Sequence, residues 1–152
     1  MILKEKEIEA IQDLRSQEEM CIKKYQKYSQ EAKDTVLKDL FTNLQQKEQQ
    51  HYDSLGQVLS GEVPGCDCND RSGAQYMPKS TYTGMDESED KTADCYLTTD
   101  CIATEKLASS EYNTDVFVFG DTDVRKLLAD IQVEEQNHAE MLYQYKTVNS
   151  MS

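Results

Sequence analysis

The chain contains only two histidines, and each lies three positions after a glutamate, in Glu48-Gln-Gln-His51 and Glu135-Gln-Asn-His138. Residues three positions apart share one face of an α-helix, so each motif would present a carboxylate beside an imidazole. Each motif also has a further glutamate thirty positions before its own. The six residues of the pattern are Glu18, Glu48, His51, Glu105, Glu135 and His138. Their types and spacing make them candidate metal ligands.

The two halves of the chain repeat each other at a constant offset. A shift of 87 positions, without a gap, places Glu18 on Glu105, and it superimposes the two Glu-x-x-His motifs. Residues outside the motifs align as well: Asp13 with Asp100, Tyr25 with Tyr112, Asp34 with Asp121, Leu40 with Leu127 and Leu55 with Leu142. Duplication of one helical hairpin is the economical explanation of this repeat.

Apolar residues recur at three- and four-residue steps in four segments, which is the period of amphipathic helices. The predicted helices span about 4–33, 35–60, 92–118 and 122–148. The segment at about 61–90 is rich in Gly, Pro, Ser, Thr, Asp and Asn, which predicts a linker. A linker of that length can return along the whole bundle, so that the third helix runs parallel to the second. We therefore expect an all-α fold of two antiparallel helical hairpins joined by a long crossover.

The six polar residues continue the apolar stripes of their helices. Glu18, for example, lies on the same predicted face as Leu14 and Cys21, so its carboxylate is expected to point into the core. Four carboxylates buried together without compensation would cost several kcal/mol per charge. Two divalent metal ions would balance the four charges, and two neutral imidazoles would add ligands without adding charge. This carboxylate-rich set suits iron, or alternatively manganese, and is less suited to a structural zinc ion.

One glutamate from each of two helices, together with Glu-x-x-His from each of the other two, is the ligand pattern of ferritin-like carboxylate proteins. The sequence resembles that superfamily from about residue 4 to residue 148, with all six positions filled. The resemblance implies a single ferritin-like four-helix domain over 1–152. It also implies that Glu18 and Glu105 are terminal ligands, that Glu48 and Glu135 bridge two metals, and that His51 and His138 each complete one metal.

Three further strings resemble the spore coat protein F-like group of clostridial spore formers. They run from Leu14 to Tyr25, from Leu59 to Pro64, and from Thr104 to Thr114. The resemblance implies a protein of sporulating cells, located in the cytoplasm or the spore coat. Other coat proteins, or further copies of the same chain, are then the expected protein partners.

Two classes of function fit these features. The first is a di-iron or di-manganese oxidoreductase of the peroxidase, catalase or ferroxidase type, acting on peroxide, dioxygen or ferrous iron. The chain lacks the rubredoxin-like Cys-x-x-Cys pair of rubrerythrins, and with it a built-in electron supply. The second is a structural spore coat protein in which the bundle and any metal serve assembly or stability, because fold alone does not establish function. A metal-free bundle is the third alternative, and it leaves six polar core residues unexplained.

Several other residues near the predicted site have two interpretations each. Tyr25 and Tyr112 could carry electrons, although core tyrosines with a hydrogen-bonded hydroxyl are the commoner case. Four glutamates beside the stripe could be alternative ligands or a path for ions, but solvation of the surface is the favoured role: Glu19, Glu111, Glu134 and Glu140. Packing accounts for Cys21 and Cys101. The pair Cys66 and Cys68 is a weak metal or redox signal.

The net charge of −13 argues against a nucleic-acid partner, because phosphate binding depends on clustered lysine and arginine. No segment has the roughly 18 consecutive apolar residues of a membrane helix. The first residues also lack the apolar stretch of a signal peptide, so we expect neither a membrane partner nor export.

Overall fold

Four long helices dominate the computed structural model, which describes residues 1–83 and 87–151. A one-turn helix and a 3₁₀ turn, Val116–Val118, complete the secondary structure of these residues, and no strand occurs among them. The helices are α1 (Glu5–Glu31), α2 (Thr35–Leu59), the one-turn α3 (Ser72–Gln75), α4 (Glu89–Asp115) and α5 (Thr122–Val148). The prediction of an all-α fold is confirmed for this part of the chain. None of these helices is both long enough and apolar enough to cross a membrane.

Two aspartates that the sequence repeat aligns, Asp34 and Asp121, are the N-caps of α2 and α5. The Asp34 carboxylate accepts a hydrogen bond of 3.0 Å from the backbone N–H of Val36 at the start of α2. At the start of α5, Asp121 accepts from the backbone N–H groups of Asp123 and Val124, at 2.8 and 3.0 Å. Because both aspartates satisfy amides that the helix itself leaves unpaired, they determine where α2 and α5 begin.

Contacts between the two hairpins establish the helix directions. Lys24 of α1 reaches Thr104 of α4 at 2.8 Å, and Tyr28, one turn further along α1, reaches Asp100, one turn earlier in α4, at 2.6 Å. Therefore α1 and α4 are antiparallel. Since α1 is also antiparallel to α2, with the Arg15 side chain reaching the carbonyl of Tyr52, α4 runs parallel to α2. The linker thus returns along the bundle.

The linker is more ordered than the sequence suggested. Its α3 turn lies directly against α5, where a Cβ added to Gly73 would come within 2.6 Å of the Glu140 carboxylate and 3.0 Å of the Asn137 Cα. Glycine permits this close approach, and the predicted linker therefore contains one short helix that packs on the bundle. Residues 84–86 of the predicted linker, and residue 152 of the predicted domain, lie outside the described residues.

The apolar core is divided into two clusters. One is built around Phe41, Leu44 and Tyr145, and the other around Ile11, Leu55 and Leu128. The predicted metal ligands lie between these clusters along the helices. The hydrophobic effect therefore encloses the polar middle of the bundle from both ends.

Candidate metal centre

The six candidate ligands are buried side chains from all four long helices. Each is at most 2 % exposed: Glu18, Glu48, His51, Glu105, Glu135 and His138. The prediction that these polar groups point into the core is confirmed. Their burial follows from helix periodicity, because each occupies a core-facing position of its own helix.

The six side chains converge as two overlapping groups. In the first group, Glu18 and His51 join Glu48 and Glu135, and in the second, Glu105 and His138 join the same two glutamates. One ligand atom from each member of a group lies within 4.8 Å of the others. The imidazole rings are stacked, with centroids 5.7 Å apart and planes 15° from parallel. This geometry has the form of two adjacent cation positions that share Glu48 and Glu135.

The two shared glutamates have different surroundings. Glu48 has a partner for each oxygen, because its Oε2 lies 3.1 Å from His51 Nδ1 and its Oε1 lies 3.0 Å from His138 Nδ1. Neither oxygen of Glu135 makes a hydrogen bond, although its Oε1 lies 2.9 Å from His51 Nδ1. The Oε2 atoms of Glu18 and Glu105 are also buried without a hydrogen-bond partner. Four carboxylate oxygens in the centre therefore make no hydrogen bond, and of these four only Glu135 Oε1 has an ion-pair contact, with His51.

Without a bound cation, some glutamates of the centre are protonated and Glu48 is ionised. Burial, and then the Glu48 charge, raise the pKa of Glu18 to about 8. Burial and neighbouring carboxylates likewise raise the pKa of Glu105 and of Glu135. Burial opposes ionisation of Glu48 too, but the charge and hydrogen bond of His138 hold the pKa of Glu48 well below its usual range.

Both histidines retain protons in this environment. Burial opposes the charged imidazolium of His138, but Glu105 and Glu48 outweigh it and raise its pKa to about 10. For His51, burial acts in the same direction and is again outweighed, mainly by Glu134 and Glu135, so its pKa lies well above the ordinary value. A cation that binds here must therefore displace protons from imidazoles and carboxyl groups.

Two buried tyrosines connect the hairpins through the candidate ligands. The Tyr25 hydroxyl of α1 donates to Glu105 of α4, and the Tyr112 hydroxyl of α4 donates to Glu18 of α1. The two contacts are related by the 87-residue offset of the sequence repeat. Burial is the main cause that raises the pKa of both phenols, so they remain protonated donors.

Removal of either hydroxyl should destabilise the protein modestly. In Tyr25→Phe or Tyr112→Phe the partner carboxyl loses its donor in a buried site, so we expect the free energy of unfolding to fall by about 1–2 kcal/mol. Urea denaturation of the metal-free protein measures this loss. Tyr143→Phe is the matched control, because Tyr143 is 63 % exposed and its loss should change stability by less than about 0.5 kcal/mol. Equal stabilities of all three variants would contradict the assigned hydrogen bonds.

Sequence reasoning assigned Glu134 to surface solvation, and the structure corrects this assignment. The Glu134 side chain is 24 % exposed, and its Oε2 contacts His51 Nε2, the ring nitrogen on the outer side of the centre. The equivalent residue in the first half of the repeat is Lys47, which has no carboxylate to offer His138. In the sequence, the one sign of this role was that Glu134 directly precedes Glu135. The sequence did not reveal that Glu134 would contact His51 of another helix.

The cysteines lie outside the two ligand groups. Cys21 and Cys101 are buried, and burial is the largest cause that raises the pKa of each thiol, which fits a packing role. Cys66 and Cys68 are exposed in the linker, where the Cys68 thiol lies 3.8 Å from the carbonyl oxygen of Lys126.

Comparison with known protein families yields a match over the second hairpin. Residues 93–149, which comprise nearly all of α4 and all of α5, match the family model described as the Coat F domain. No curated protein and no solved structure matches the chain. The predicted resemblance to the spore coat protein F group is thus supported for the part of the chain that supplies Glu105, Glu135 and His138.

Proposed function

We propose that the centre binds two divalent metal ions. The observation that carries this proposal is the set of four buried carboxylate oxygens without a hydrogen-bond donor, two of them on Glu135. Buried polar atoms in folded proteins are almost always paired, so four such acceptors at one place, three of them also without an ion-pair contact, indicate a missing positive partner. Two divalent cations would supply four positive charges for four carboxylates.

The proposed bundle is ferritin-like. The antiparallel α1–α4 contacts, together with the return of the linker along the bundle, are what a ferritin-like crossover requires. In this arrangement Glu18 and Glu105 would be terminal ligands and Glu48 and Glu135 would bridge. His51 and His138 would each bind through Nδ1, the nitrogen that already faces the carboxylates.

Iron is the preferred metal, with manganese as the alternative. Carboxylate oxygens and imidazole nitrogens suit both ions, and no cysteine belongs to either ligand group within the described residues. The contact with Glu134 supports the role of His51 as a ligand. An acceptor at Nε2 retains the proton there and leaves the Nδ1 lone pair free for a cation.

We propose an oxidoreductase role for the loaded centre. When bound, iron or manganese would supply redox chemistry on peroxide or dioxygen, or would oxidise ferrous iron. The protein contributes the enclosure, because the two apolar clusters exclude water from both ends of the centre. Tyr25 and Tyr112 hold the terminal carboxylates in position through their hydroxyl groups.

A small pocket that reaches two of the candidate ligands favours a small oxidant as the substrate. A pocket of ≈ 210 Å³ elsewhere on the bundle does not reach the ligands, but one of ≈ 180 Å³ between α4 and α5 does. The lining of the smaller pocket includes Glu105, Glu135, Ser109 and Ala139. Its size suits peroxide or dioxygen, whereas drug-sized ligands occupy pockets of about 300 Å³ or more.

A structural role in the spore coat is the second candidate function. It is favoured by the Coat F domain match over residues 93–149. Exposed apolar side chains, among them Phe117 at 86 % and Leu107 at 67 %, offer contacts to other coat proteins or to further copies of this chain. In this role a bound metal would stabilise the bundle without turnover.

Metal analysis followed by an activity assay distinguishes the two functions. Protein purified from iron- or manganese-supplemented cultures is expected to contain about two metals per chain and to consume peroxide. Glu48→Ala should lose both properties, because it removes a carboxylate shared by the two ligand groups. Two bound metals without turnover would favour the coat role. Protein without metal under both conditions would overturn the metal proposal.

A further inference from the structure

The linker passes along α5 beside the centre. Near the start of this passage the Cys68 thiol lies 3.8 Å from the Lys126 carbonyl oxygen, and at its end Asn137 Nδ2 donates to the carbonyl of Asp70 at 3.2 Å. Asp67, which is exposed, directly precedes the first of these contacts, and Asp70, which is partly buried, makes the second through its carbonyl group. The Asp67 carboxylate accepts from Asn69 and the Asp70 carboxylate from Ser72, and both charges lie near enough to α5 to act on Asp130.

The face of α5 beside the linker carries two more carboxylates, one turn apart. Asp130 and Glu134 are four positions apart, which places both on the same side of the helix. Asp130 is only 8 % exposed, and its Oδ1 is buried without a hydrogen-bond donor. Glu134, one turn further along α5, has a side chain that is 24 % exposed, and it contacts His51, one of the candidate ligands. Exposure thus decreases from Asp67 at the surface to Asp130, and the series ends at the centre.

The lysine beside this series, Lys126, is paired with another residue. The Lys126 side chain is 65 % exposed and is paired with Asp123 at 3.9 Å. Burial raises the pKa of Asp130, and Glu134, Asp70 and Asp67 raise it further, whereas the His51 charge lowers it. All the groups that act on Asp130 belong to α2, α5 or the linker.

The first hairpin has no equivalent of this series. The positions of the repeat that correspond to Asp130 and Glu134 are occupied by Asn43 and Lys47. The hairpin fold therefore does not require acidic residues at these places. Their presence on one side only, together with a buried Asp130 oxygen that has no partner, calls for an explanation other than solvation of the surface.

We propose that Asp67, Asp70, Asp130 and Glu134 form a route by which divalent cations reach the buried centre from the linker side. The inference rests on the proposed di-metal function and specifies how that centre is loaded. Successive carboxylates replace part of the water shell of the cation, and their negative potential raises the local cation concentration. The α4–α5 pocket opens beside Gln136 and Ala139, away from this route, so cation and oxidant would use different faces of the bundle.

Stopped-flow mixing of the metal-free full chain with Co²⁺ tests the route, with the d–d absorption of bound cobalt as the signal. Asp130→Asn is expected to slow loading about tenfold, which is the lower end of electrostatic steering effects. The final cobalt content should stay at that of the wild type. Asp39→Asn is the matched control, because it removes one exposed α2 carboxylate outside the series and should leave the rate within about twofold.

Asp70→Asn provides a second test that does not change the core. Its amide oxygen can still accept from the backbone N–H of Ser72, so α3 is retained while one charge is lost, and loading should slow severalfold. Wild-type rates in both variants, with two cobalt ions bound, would overturn the route and leave the di-metal proposal intact. A lower final cobalt content in Asp130→Asn would make Asp130 a ligand and would also overturn the route. A wild-type protein that binds no Co²⁺ would overturn the route and the proposed centre together.

Discussion

Glu135→Gln is expected to abolish most of the metal-induced rise in melting temperature without lowering the stability of the metal-free protein. Burial and neighbouring carboxylates raise the pKa of Glu135, so in the metal-free protein an amide mimics its protonated carboxyl. The amide keeps an oxygen that can face His51 Nδ1, which lies 2.9 Å from Glu135 Oε1, and adds an NH₂ group that can donate to neighbouring carboxylates. Metal binding should suffer strongly, because Glu135 belongs to both ligand groups. A residue that costs stability unless a ligand is present is characteristic of a functional site.

Thermal unfolding with and without Fe²⁺ under anaerobic conditions measures both parts of this expectation. At a thousandfold excess of metal over its dissociation constant, one bound ion stabilises the folded state by about 4 kcal/mol, which raises the melting temperature of a chain of this size by about 10 °C. Glu135→Gln should keep less than half of that rise. Glu19→Gln is the control, because Glu19 is exposed and paired with Lys23, and it should respond to metal as the wild type does. A full metal response in Glu135→Gln would exclude Glu135 as a shared ligand.

The metal-free protein is expected to lose stability as the pH rises from about 5.5 to about 9, by about 10 °C in melting temperature. The pKa of Glu18 is raised from 4.5 to about 8, so between these two pH values the folded protein holds a proton that the unfolded chain has released. The pKa of His138 is raised from 6.5 to about 10, with the same consequence at higher pH. Where the folded state binds more protons, stability falls with increasing pH. The pKa of Glu48 is lowered, so its contribution to stability is complete above its ordinary pKa of 4.5 and is lost as the pH falls further. The stability of the metal-free protein should therefore be greatest in mildly acidic solution.

Melting curves of chelator-treated protein across this pH range, repeated with bound metal, measure the effect. Metal should reverse the slope, because the ion replaces the protons and its affinity increases as they leave. Glu18→Gln should flatten the metal-free curve between about pH 5 and pH 8, whereas Glu19→Gln should leave it unchanged. A metal-free protein whose stability rises steadily from pH 5.5 to pH 9 would contradict the arrangement of buried protons described above.

Helix periodicity explains how much of the candidate site could be predicted. The spacing of Glu48 and His51, and its repetition at Glu135 and His138, is a local property of the chain. An amphipathic helix turns each of these residues towards its own apolar stripe wherever the helix packs. The burial of the ligand set and the two aspartate N-caps followed from such local signals. The all-α fold followed in the same way.

Helix periodicity does not predict how the two halves of the repeat differ in their contacts. In sequence, Glu48 and Glu135 are equivalent members of a repeat, yet Glu48 contacts both imidazoles and Glu135 has no hydrogen bond. The contact of Glu134 with His51 and the packing of Gly73 against α5 likewise join residues far apart in the chain.

By itself, the sequence determined four amphipathic helices, the caps that start two of them, and six polar residues on their inner faces. These depend on interactions within one turn of helix, which residue type and spacing encode directly. Only the tertiary structure decided which carboxylate oxygens lack hydrogen bonds, which nitrogen of His51 faces outward, and that the linker brings Asp67 and Asp70 near Asp130 of α5. Those properties arise from distances between helices, and side-chain packing across the bundle sets those distances.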